Sequence, residues 1–550
     1  MCDMKNKLKI VFEDGKKIEV KNGTRVRDLL HILKNKNIIA LRINGAAVNA
    51  DYELTEDCKV SFIYADDRNG RKIYTAGLKY VYIKAVKDVL GPSTVVNIKH
   101  SLDKGLYTTI EGKSKIEKKL IEKIKKRMTE IVDRDILINA INVSKEDVLE
   151  YVKENGEDEK VLKYMYMTND SVTMYELGGE YNYFYDILPA STGILKLFDI
   201  KLLSPNGVIL CYPVDGVVPK YNPAPKVLTS FQNYEDRLKT VGVKYAGDLN
   251  KLIVESKISD FIQINEILYD ENLGNIANMV NKNRNIRAIF ISGPSSSGKT
   301  TTSKKLALFL NTFGLSTLVL STDDYFVERE DSPRKPDGSY EFEIIDAIDT
   351  ELFNKQIKDL LDGKEVIIPT FNFITGKKEY KRKPTKLKDN QILVVEGLHA
   401  ISERMNSAIP EKNKLKLYIS PFMPVALDRH NHIRTTDLRL IRRMVRDYNH
   451  RGYSAEQTLT NWMGMRASEE KYVYPYQREA DIVLNTSLAY EIGVLRTYVV
   501  PLLYSINRES EFYEEAVRIV RFVKGFMNIP SELVPEKSVL REFIGNSYFE

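Results

Sequence analysis

The stretch AIFISGPSSSGKTT, Ala288–Thr301, decides the fold of the C-terminal half of this 550-residue chain. An apolar, buried-type strand runs directly into a glycine- and serine-rich loop that fits the pattern G-x4-G-K-[ST], and a helical stretch follows. The glycines let successive backbone N–H groups point inward, and the start of the helix adds partial positive charge. The stretch therefore predicts a site for the phosphates of a nucleoside triphosphate.

Each position of this loop has a predicted role in binding the nucleotide. The Lys299 side chain is long enough to reach the β- and γ-phosphates, and the Thr300 hydroxyl is a ligand for Mg²⁺. The predicted nucleotide-binding residues are Gly293, Ser295, Ser296, Ser297, Gly298, Lys299, Thr300 and Thr301.

Two later strands end in acidic residues. STLVLSTDD delivers Asp323 and Asp324, and QILVVEG ends at Glu396 and Gly397. Ligands of open parallel sheets lie beyond the carboxyl ends of the strands. Asp323 is therefore predicted to take a proton from an acceptor hydroxyl or to orient magnesium, and Glu396 to hold the metal with Thr300. The chain shows neither the guanine signature N-K-x-D nor a helicase-type acidic box, which argues against a GTPase or a motor.

The segment RTTDLRLIRRMVRDYNHR, 434–451, is rich in arginine. On a helix from about Asp437, four arginines share one face, and apolar side chains share the other. One interpretation is a solvated basic face, and the other is a lid whose arginines stabilise charge on a transferred phosphoryl group. The residues concerned are Arg439, Arg442, Arg443 and Arg446, with Arg451 following.

In this order, the motifs GPSSSGKTT, LSTDDYF, YEFEIIDAIDTELF, IPTFNFITGKK, LVVEGLHAI and RRMVRDYNHRG resemble the uridine kinase and phosphoribulokinase family over roughly 286–500. The resemblance implies ATP and Mg²⁺ as cofactors and a nucleoside or another small sugar-like alcohol as acceptor. It implies that Asp323 is the catalytic base and that Lys299, Arg446 and Arg451 are catalytic. Asp346 and Arg443 are assigned to the substrate, although Asp346 or Asp349 could instead cap the following helix.

The base pocket departs from the family pattern. Phe371 falls where uridine kinases place a tyrosine, and Gly376 falls where they place a histidine. Phe371 could stack on a base, but the phenol and imidazole groups that would select a pyrimidine edge are missing. The reaction class is therefore predicted, and uridine as the substrate does not follow.

The first half of the chain resembles parts of threonyl-tRNA synthetases. KLKIVFEDGKKIEV, NGTRVRDLL and LRINGAAVNADYEL predict a β-β-α-β-β unit similar to a TGS domain. VVNIKHSLDKGLY and LPASTGILKLF resemble the second additional domain, where mischarged tRNA is hydrolysed. The metal ligands of that editing site are absent, since its helix carries Lys79 and Tyr80 and the later segment carries Tyr185 and Asp186. The editing chemistry is predicted to be lost, with His100 a structural or surface residue.

These patterns predict an α/β protein with a P-loop doubly wound parallel sheet in its C-terminal half. A small β-grasp domain and an α+β synthetase-editing-like domain precede that sheet. The predicted units are 1–66 (TGS-like), 67–225 (editing-like), 226–285 (helical connector), 286–500 (kinase) and 501–550 (helical extension).

The composition of the chain bears on where the protein acts and on what it binds. The formal charge is +6, and three scattered cysteines form neither a metal-ligand pattern nor a disulfide framework. No segment is apolar enough to span a bilayer, and the start lacks a signal pattern, so a cytoplasmic protein is predicted. An oligomer remains open, as does GTP in place of ATP. The alternative function is a nucleotide-gated regulatory protein that binds tRNA or another RNA, supported by the Lys-rich stretch at 113–128, which could equally be a solvated helix face.

Overall fold

The computed structural model describes residues 7–33, 35, 37–112, 116–167, 169–204, 206–335 and 338–549. The first five strands form one mixed sheet in the order β2-β1-β5-β3-β4, in which β1 pairs parallel with β5 and the other pairs are antiparallel. This arrangement agrees with the predicted β-grasp unit and adds the short strand β4. Its elements are β1 (Lys7–Phe12), β2 (Lys17–Lys21), α1 (Val26–Leu33), β3 (Ile38–Ile43), β4 (Ala46–Val48) and β5 (Cys58–Tyr64).

A long central helix organises the next unit. Because side chains on every side of α2 are buried, the helix serves as a core element and not as a surface helix. It packs with a four-stranded sheet, β11-β12-β7-β6, while β10-β9-β8 form a second sheet. The elements are α2 (Arg68–Leu90), β6 (Val96–Leu102), β7 (Gly105–Ile110), α3 (Lys118–Asp133), β8 (Asn139–Ser144), α4 (Lys145–Glu154), α5 (Asp158–Met165), β9 (Ser171–Leu177), β10 (Glu180–Asn182), β11 (Asp199–Ser204) and β12 (Gly207–Cys211).

The Lys-rich stretch forms the amphipathic helix α3. Ile121, Ile124 and Met128 are buried, and most of its lysines face solvent. Residues 113–115 of the predicted helix lie outside the described residues. The charged face is thus explained by solvation over a packed stripe.

The C-terminal half is built on a five-stranded parallel sheet in the order β14-β19-β13-β20-β21. The predicted doubly wound P-loop architecture is confirmed by this all-parallel pairing. The elements are α6 (Pro225–Thr240), α7 (Ala246–Val254), α8 (Ile258–Lys282), β13 (Ala288–Ser292), α9 (Lys299–Thr312), β14 (Ser316–Ser321), α10 (Thr350–Leu361), β15 (Glu365–Val366), β16 (Thr370–Asn372), β17 (Lys377–Glu379), β18 (Thr385–Lys386), β19 (Gln391–Glu396), α11 (Glu403–Asn406), β20 (Lys414–Ser420), α12 (Thr435–Arg451), α13 (Ala455–Tyr472), β21 (Ile482–Asn485), α14 (Glu491–Tyr504), α15 (Tyr513–Val523) and α16 (Arg541–Ile544).

One hydrophobic core crosses the predicted unit boundaries at 286 and 501. It contains Tyr269 and Leu273 of α8, Ile289 of β13, Leu306 of α9 and Phe543 of α16. In addition, the Tyr269 hydroxyl lies 2.7 Å from the Thr302 hydroxyl, so α8 contacts the helix that follows the phosphate loop. The helices before and after the sheet are therefore part of its packing.

A buried network of alternating charges joins the second unit to the first turn of α12. Arg434 pairs with Asp186 at 2.6 Å, and Arg518 pairs with Asp437 at 2.7 Å and with Glu515 at 2.9 Å. Lys72 also pairs with Glu515. We call this set the junction network, and its three cations and three carboxylates are Lys72, Asp186, Arg434, Asp437, Glu515 and Arg518.

Among the described residues, no helix is both long and apolar enough to cross a membrane.

Candidate active site

The backbone of the phosphate loop has the geometry that the sequence predicts. Gly298 has φ +88° and begins α9, and Ser296 has φ +59°. A Cβ on Gly293 would lie 2.2 Å from the carbonyl oxygen of Ile419, which leaves no room for a side chain. Because glycine adopts positive φ at little cost, the loop can turn tightly into the helix N-terminus, where free backbone N–H groups bind anions.

The side chains of Lys299 and Thr300 make polar contacts at this loop. The ammonium of Lys299 donates to the carbonyl oxygens of Gly293 at 3.0 Å and Pro294 at 3.2 Å. The Thr300 hydroxyl donates to the Glu396 carboxylate at 3.4 Å. The predicted metal-holding pair is thus within contact distance, and its hydroxyl and carboxylate oxygens are the hard ligands that Mg²⁺ prefers.

The two acidic strand ends meet beside the loop. Burial raises the pKa of Glu396 to about 7, and the nearby Asp323 carboxylate adds to the rise. Neighbouring protein atoms limit the hydration of the Asp323 carboxyl and raise its pKa, although the residue keeps contact with solvent. Lys299 counters this rise, and Asp324 adds to it. Carboxyls with raised pKa values beside a lysine are typical of a site that handles protons or metal ions.

Three arginines converge on one buried carboxylate. Arg443, Arg446 and Arg451 lie 3.1, 3.2 and 3.3 Å from the oxygens of Asp447, whose side chain is fully buried. One carboxylate neutralises only part of three positive charges, so the cluster keeps a cationic surplus. Arg443 also donates to the Ser295 hydroxyl at 2.9 Å, which places this surplus at the phosphate loop.

The other two arginines of α12 correct the interpretation of this helix as a solvated basic face. Arg439 and Arg442 are completely buried. Arg439 pairs with Glu469 and donates to the Ser295 carbonyl at 2.8 Å. Arg442 pairs with Glu491 at 2.6 Å and donates to the Ser296 carbonyl at 3.4 Å.

Helix α12 is consequently a core helix. Its arginines hold the phosphate loop by its carbonyl groups, and Leu438, Ile441 and Met444 pack in the central hydrophobic core. The solvated-face interpretation therefore does not describe α12, and its role as a lid stays a prediction. Arg451, exposed at the end of the helix, pairs with Asp447 and stays a predicted phosphate contact.

On the acceptor side, the structure separates the two roles proposed for Asp346 and Asp349. Asp349 accepts from the Leu352 N–H at 3.0 Å and caps α10. Asp346 makes no such cap; its exposed carboxylate pairs with the exposed Arg404 at 2.7 Å. The capping role therefore belongs to Asp349, and the substrate role of Asp346 stays a prediction.

Phe371 does not present an open ring. It is buried, and its ring centroid lies 5.5 Å from that of Phe326 and 5.1 Å from that of Phe373. The exposed rings of this aromatic cluster are Phe342 and Phe373. The stacking role predicted for Phe371 stays a prediction, and the surface that a planar group could reach belongs to its neighbours.

Gly376 occupies a position that a larger residue could not share. Its φ is +72°, and a Cβ would lie 2.6 Å from the Cβ of Arg329. The Arg329 N–H donates to the Gly376 carbonyl at 2.8 Å. Arg329 thus fills the space beside the position where the resembled family has a histidine.

Two acidic residues near the loop were missed by the sequence analysis. Glu343 lies among Arg443, Glu469 and Asp323, and burial raises its pKa. Glu542 accepts from the Thr301 N–H at 3.2 Å and from the Thr301 hydroxyl at 2.8 Å. The carboxylate of Glu542 therefore binds a donor pair that was predicted to bind the nucleotide.

No local pattern marked either residue. Glu343 falls within the quoted YEFEIIDAIDTELF motif but not at a strand end, and Glu542 lies within the predicted helical extension 501–550. Only the folded chain brings them to the loop.

In the region that resembles an editing domain, Lys79 and His100 are both buried. Lys79 is fully buried without a hydrogen-bond partner, and burial lowers its pKa to about 8. His100 is buried between the rings of Phe231 at 4.8 Å and Phe422 at 5.4 Å, and burial lowers its pKa to about 4. His100 is thus a structural residue, and within the described ranges no cluster of three or more potential ligands could hold a metal ion.

Both halves of the chain are similar to known proteins. The model of the phosphoribulokinase / uridine kinase family matches residues 288–489. The uridine kinase of Borrelia duttonii is 30% identical over 208 residues, which are 36% of this chain and 86% of that protein. A solved structure of a possible uridine kinase from Bacillus stearothermophilus is 19% identical, with 36% of this chain and 89% of that chain covered and a TM-score of 0.25.

The fold and the phosphate loop define a P-loop kinase. More particularly, the chain belongs to the phosphoribulokinase / uridine kinase family through its C-terminal half.

The N-terminal region is similar to a different protein. The threonine–tRNA ligase of Clostridium kluyveri is 28% identical over 207 residues, which are 36% of this chain and 32% of the ligase. The chain thus spans about a third of the length of the ligases that it matches. A synthetase-like region is fused to the kinase.

Proposed function

We propose that the protein transfers the γ-phosphate of ATP to a hydroxyl of a nucleoside or another small sugar-like alcohol. The observation that carries this proposal is the meeting of Asp323, Lys299 and the Thr300–Glu396 pair at one phosphate loop. Thr300 and Glu396 already supply ligands for the metal, so the second carboxylate near Lys299, that of Asp323, is left to serve as the proton acceptor that a hydroxyl substrate needs.

In this proposal, the loop amides and Lys299 hold the triphosphate. Thr300 and Glu396 would hold Mg²⁺, which neutralises charge on the β- and γ-phosphates when bound. Arg443, Arg446 and Arg451 would share their surplus charge between Asp447 and the transferred group.

Asp323 accepts the proton of the acceptor hydroxyl while the oxygen of that hydroxyl bonds to the γ-phosphorus. The bond from that phosphorus to the oxygen shared with the β-phosphate breaks, and ADP leaves. Asp346, which is exposed, pairs with Arg404 and does not cap α10, would bind neighbouring hydroxyls of the acceptor. Since the phenol and imidazole positions are Phe371 and Gly376, the pocket lacks the usual groups for a pyrimidine edge.

A panel of acceptors tests the reaction. Full-length protein with ATP and Mg²⁺ is assayed for ADP release with nucleosides, sugars and pantothenate-like alcohols, each compared with the rate without acceptor. At least one alcohol is expected to raise the rate well above that background. A panel that never exceeds background ATP hydrolysis would contradict the proposal.

Asp323→Asn tests the base. A positioned general base contributes on the order of 10²–10⁴-fold, so acceptor-dependent turnover is expected to fall by that factor while ATP affinity changes little. The matched control is Asp389→Asn, which removes an exposed carboxylate in the same unit and is expected to leave turnover unchanged. Persistent turnover in Asp323→Asn would overturn the assignment of the base.

The similarity to threonine–tRNA ligases supports a second candidate, a nucleotide-gated protein that binds tRNA or another RNA. That the first unit is a TGS-like domain is part of this second proposal. A stoichiometric complex with tRNA whose log affinity falls linearly with log salt, without acceptor-dependent ATP turnover, would favour it over the kinase reaction.

A further inference from the structure

A cavity that is lined by none of the phosphate-loop residues lies elsewhere in the described part of the protein. Its volume is about 1130 Å³, and it opens where the β-grasp unit, the editing-like unit and the helices α14 and α15 come together. Ordinary small-molecule pockets enclose roughly 300–1,000 Å³, so this cavity has room for a ligand of nucleotide size.

The charges that line the cavity are unbalanced. Six lysines and arginines line it against three carboxylates. Each carboxylate already has a cationic partner: Asp186 pairs with Arg434, Glu514 with Arg42, and Glu515 with Arg518. The acidic side of the cavity is therefore fully neutralised.

The basic side is not. Arg496, Arg521 and Lys524, all from the wall built by α14, α15 and the residue after it, have no carboxylate partner among the described residues. Arg496 donates to the Phe526 carbonyl, Lys524 lies 5.7 Å from the ring centroid of Tyr504, and Arg521 is exposed. Three unneutralised cations on one wall attract an anion.

Another part of the lining is aromatic. Tyr175, Tyr183 and Tyr185 of the editing-like unit form it, and Tyr175 and Tyr185 are almost fully buried. Burial raises the pKa of Tyr175, and Arg521 lies close enough to oppose that rise. A planar ring can pack against tyrosine side chains while its anionic group meets the cations near them.

We infer that this cavity is a second binding site, separate from the phosphate loop, for a small molecule that combines a planar ring with a phosphate, as a nucleoside monophosphate does. The ring would contact the tyrosine wall, and the phosphate would meet Arg496, Arg521 and Lys524.

The test uses full-length Lys299→Ala protein, in which binding at the phosphate loop is weakened, and AMP as the probe in isothermal titration calorimetry. AMP is expected to bind with one site per chain. Adenosine, which lacks the phosphate, and ribose 5-phosphate, which lacks the ring, are each expected to bind at least tenfold more weakly. Absence of AMP binding at millimolar concentration would overturn the inference.

Variants locate the site. Arg521→Gln in the same background is expected to weaken AMP binding at least tenfold, and Arg521→Lys less, because the charge is kept. Arg508→Gln, an exposed arginine that does not line the cavity, is the matched control and is expected to bind like the parent. Because Arg521 and Arg508 are both exposed, neither change removes a packed side chain.

Equal affinity in Arg521→Gln and Arg508→Gln would place AMP elsewhere and overturn the inference. A tRNA 3′-end oligonucleotide that binds at this wall while AMP does not would overturn it as well.

Discussion

The molecule contains two clusters of charged side chains that differ in how their charges are arranged. In the junction network, cations and carboxylates alternate; Arg518 and Lys72 overcome the cost of burial and hold the pKa of Glu515 well below its usual range. At the phosphate loop, like charges are grouped: three arginines converge on Asp447, and the pKa values of Asp323 and Glu396 are raised.

When cations and carboxylates alternate, each charge has an opposite charge beside it within the protein. When like charges are grouped, part of the charge stays unpaired until a ligand binds. A buried charge is costly unless it is paired, and a charge that stays unpaired at a cleft is unfavourable for the free protein. The first arrangement therefore stabilises the fold. The second sacrifices some stability for the binding of phosphates and metal.

The sharpest way to break the comparison is Arg518→Gln. This change leaves Asp437 and Glu515 buried without their bidentate partner, and removal of one member of a buried ion pair costs about 3–5 kcal/mol. The free energy of unfolding, measured in urea, is expected to fall by that amount. Arg521→Gln, three residues along the same helix but exposed, is the control and is expected to change it little. Equal stability of the two variants would show that alternation is not what holds the junction.

A second test compares stability with pH in the wild type and in Glu396→Gln. The native pKa of Glu396 is about 7, above the 4.5 of a free carboxyl, so the folded state binds a proton that the unfolded state releases. This stabilisation is complete below pH 4.5 and is lost as the pH rises through about 7.

Without nucleotide or metal, the wild type is expected to lose on the order of 1 kcal/mol or more relative to Glu396→Gln between pH 5 and pH 8. Urea titrations at the two pH values measure the difference. Parallel profiles for the two proteins would contradict the grouped-charge description. Glu379→Gln, at an exposed hairpin, is expected to lack this effect, because the pKa of Glu379 is lowered by Lys381 and Asn372.

The smallest expected effect concerns Glu542. Its carboxylate holds the Thr301 N–H and hydroxyl, so ATP must displace it or bind beside its charge. Glu542→Gln is expected to tighten binding of a non-hydrolysable ATP analogue about three- to tenfold, which corresponds to about 0.7–1.4 kcal/mol. Glu536→Gln removes an exposed carboxylate from the same segment and is the control. Unchanged or weaker binding in Glu542→Gln would mean that Glu542 does not compete with the nucleotide.

The sequence predicted those parts of the site that follow from local pattern. A strand, a glycine-rich loop and a helix must lie in that order, and the carboxyl ends of parallel strands share one edge, so Lys299, Thr300, Asp323 and Glu396 could be assigned to one place. The parallel sheet followed from the same reasoning.

The sequence of a helix does not show which other segments pack against its faces. Periodicity put Arg439 and Arg442 on one face, but their partners Glu469 and Glu491 lie 30 and 49 residues further along, with no pattern linking them. Burial of both arginines depends on tertiary packing alone. Glu542 was missed for the same reason, since it reaches Thr301 across 241 residues.

The hydrophobic core of the C-terminal half determines which part of the chain can fold without the rest. Phe261, Ile262 and Leu273 of α8 are buried in that core, and Lys305 of α9 pairs with Asp270 of the same helix at 2.6 Å. A protein cut at residue 286 would expose this apolar surface and leave Lys305 without that neighbour. The smallest piece that could be excised as a working module is thus larger than its nucleotide-binding motifs indicate and includes at least α8, which begins at Ile258.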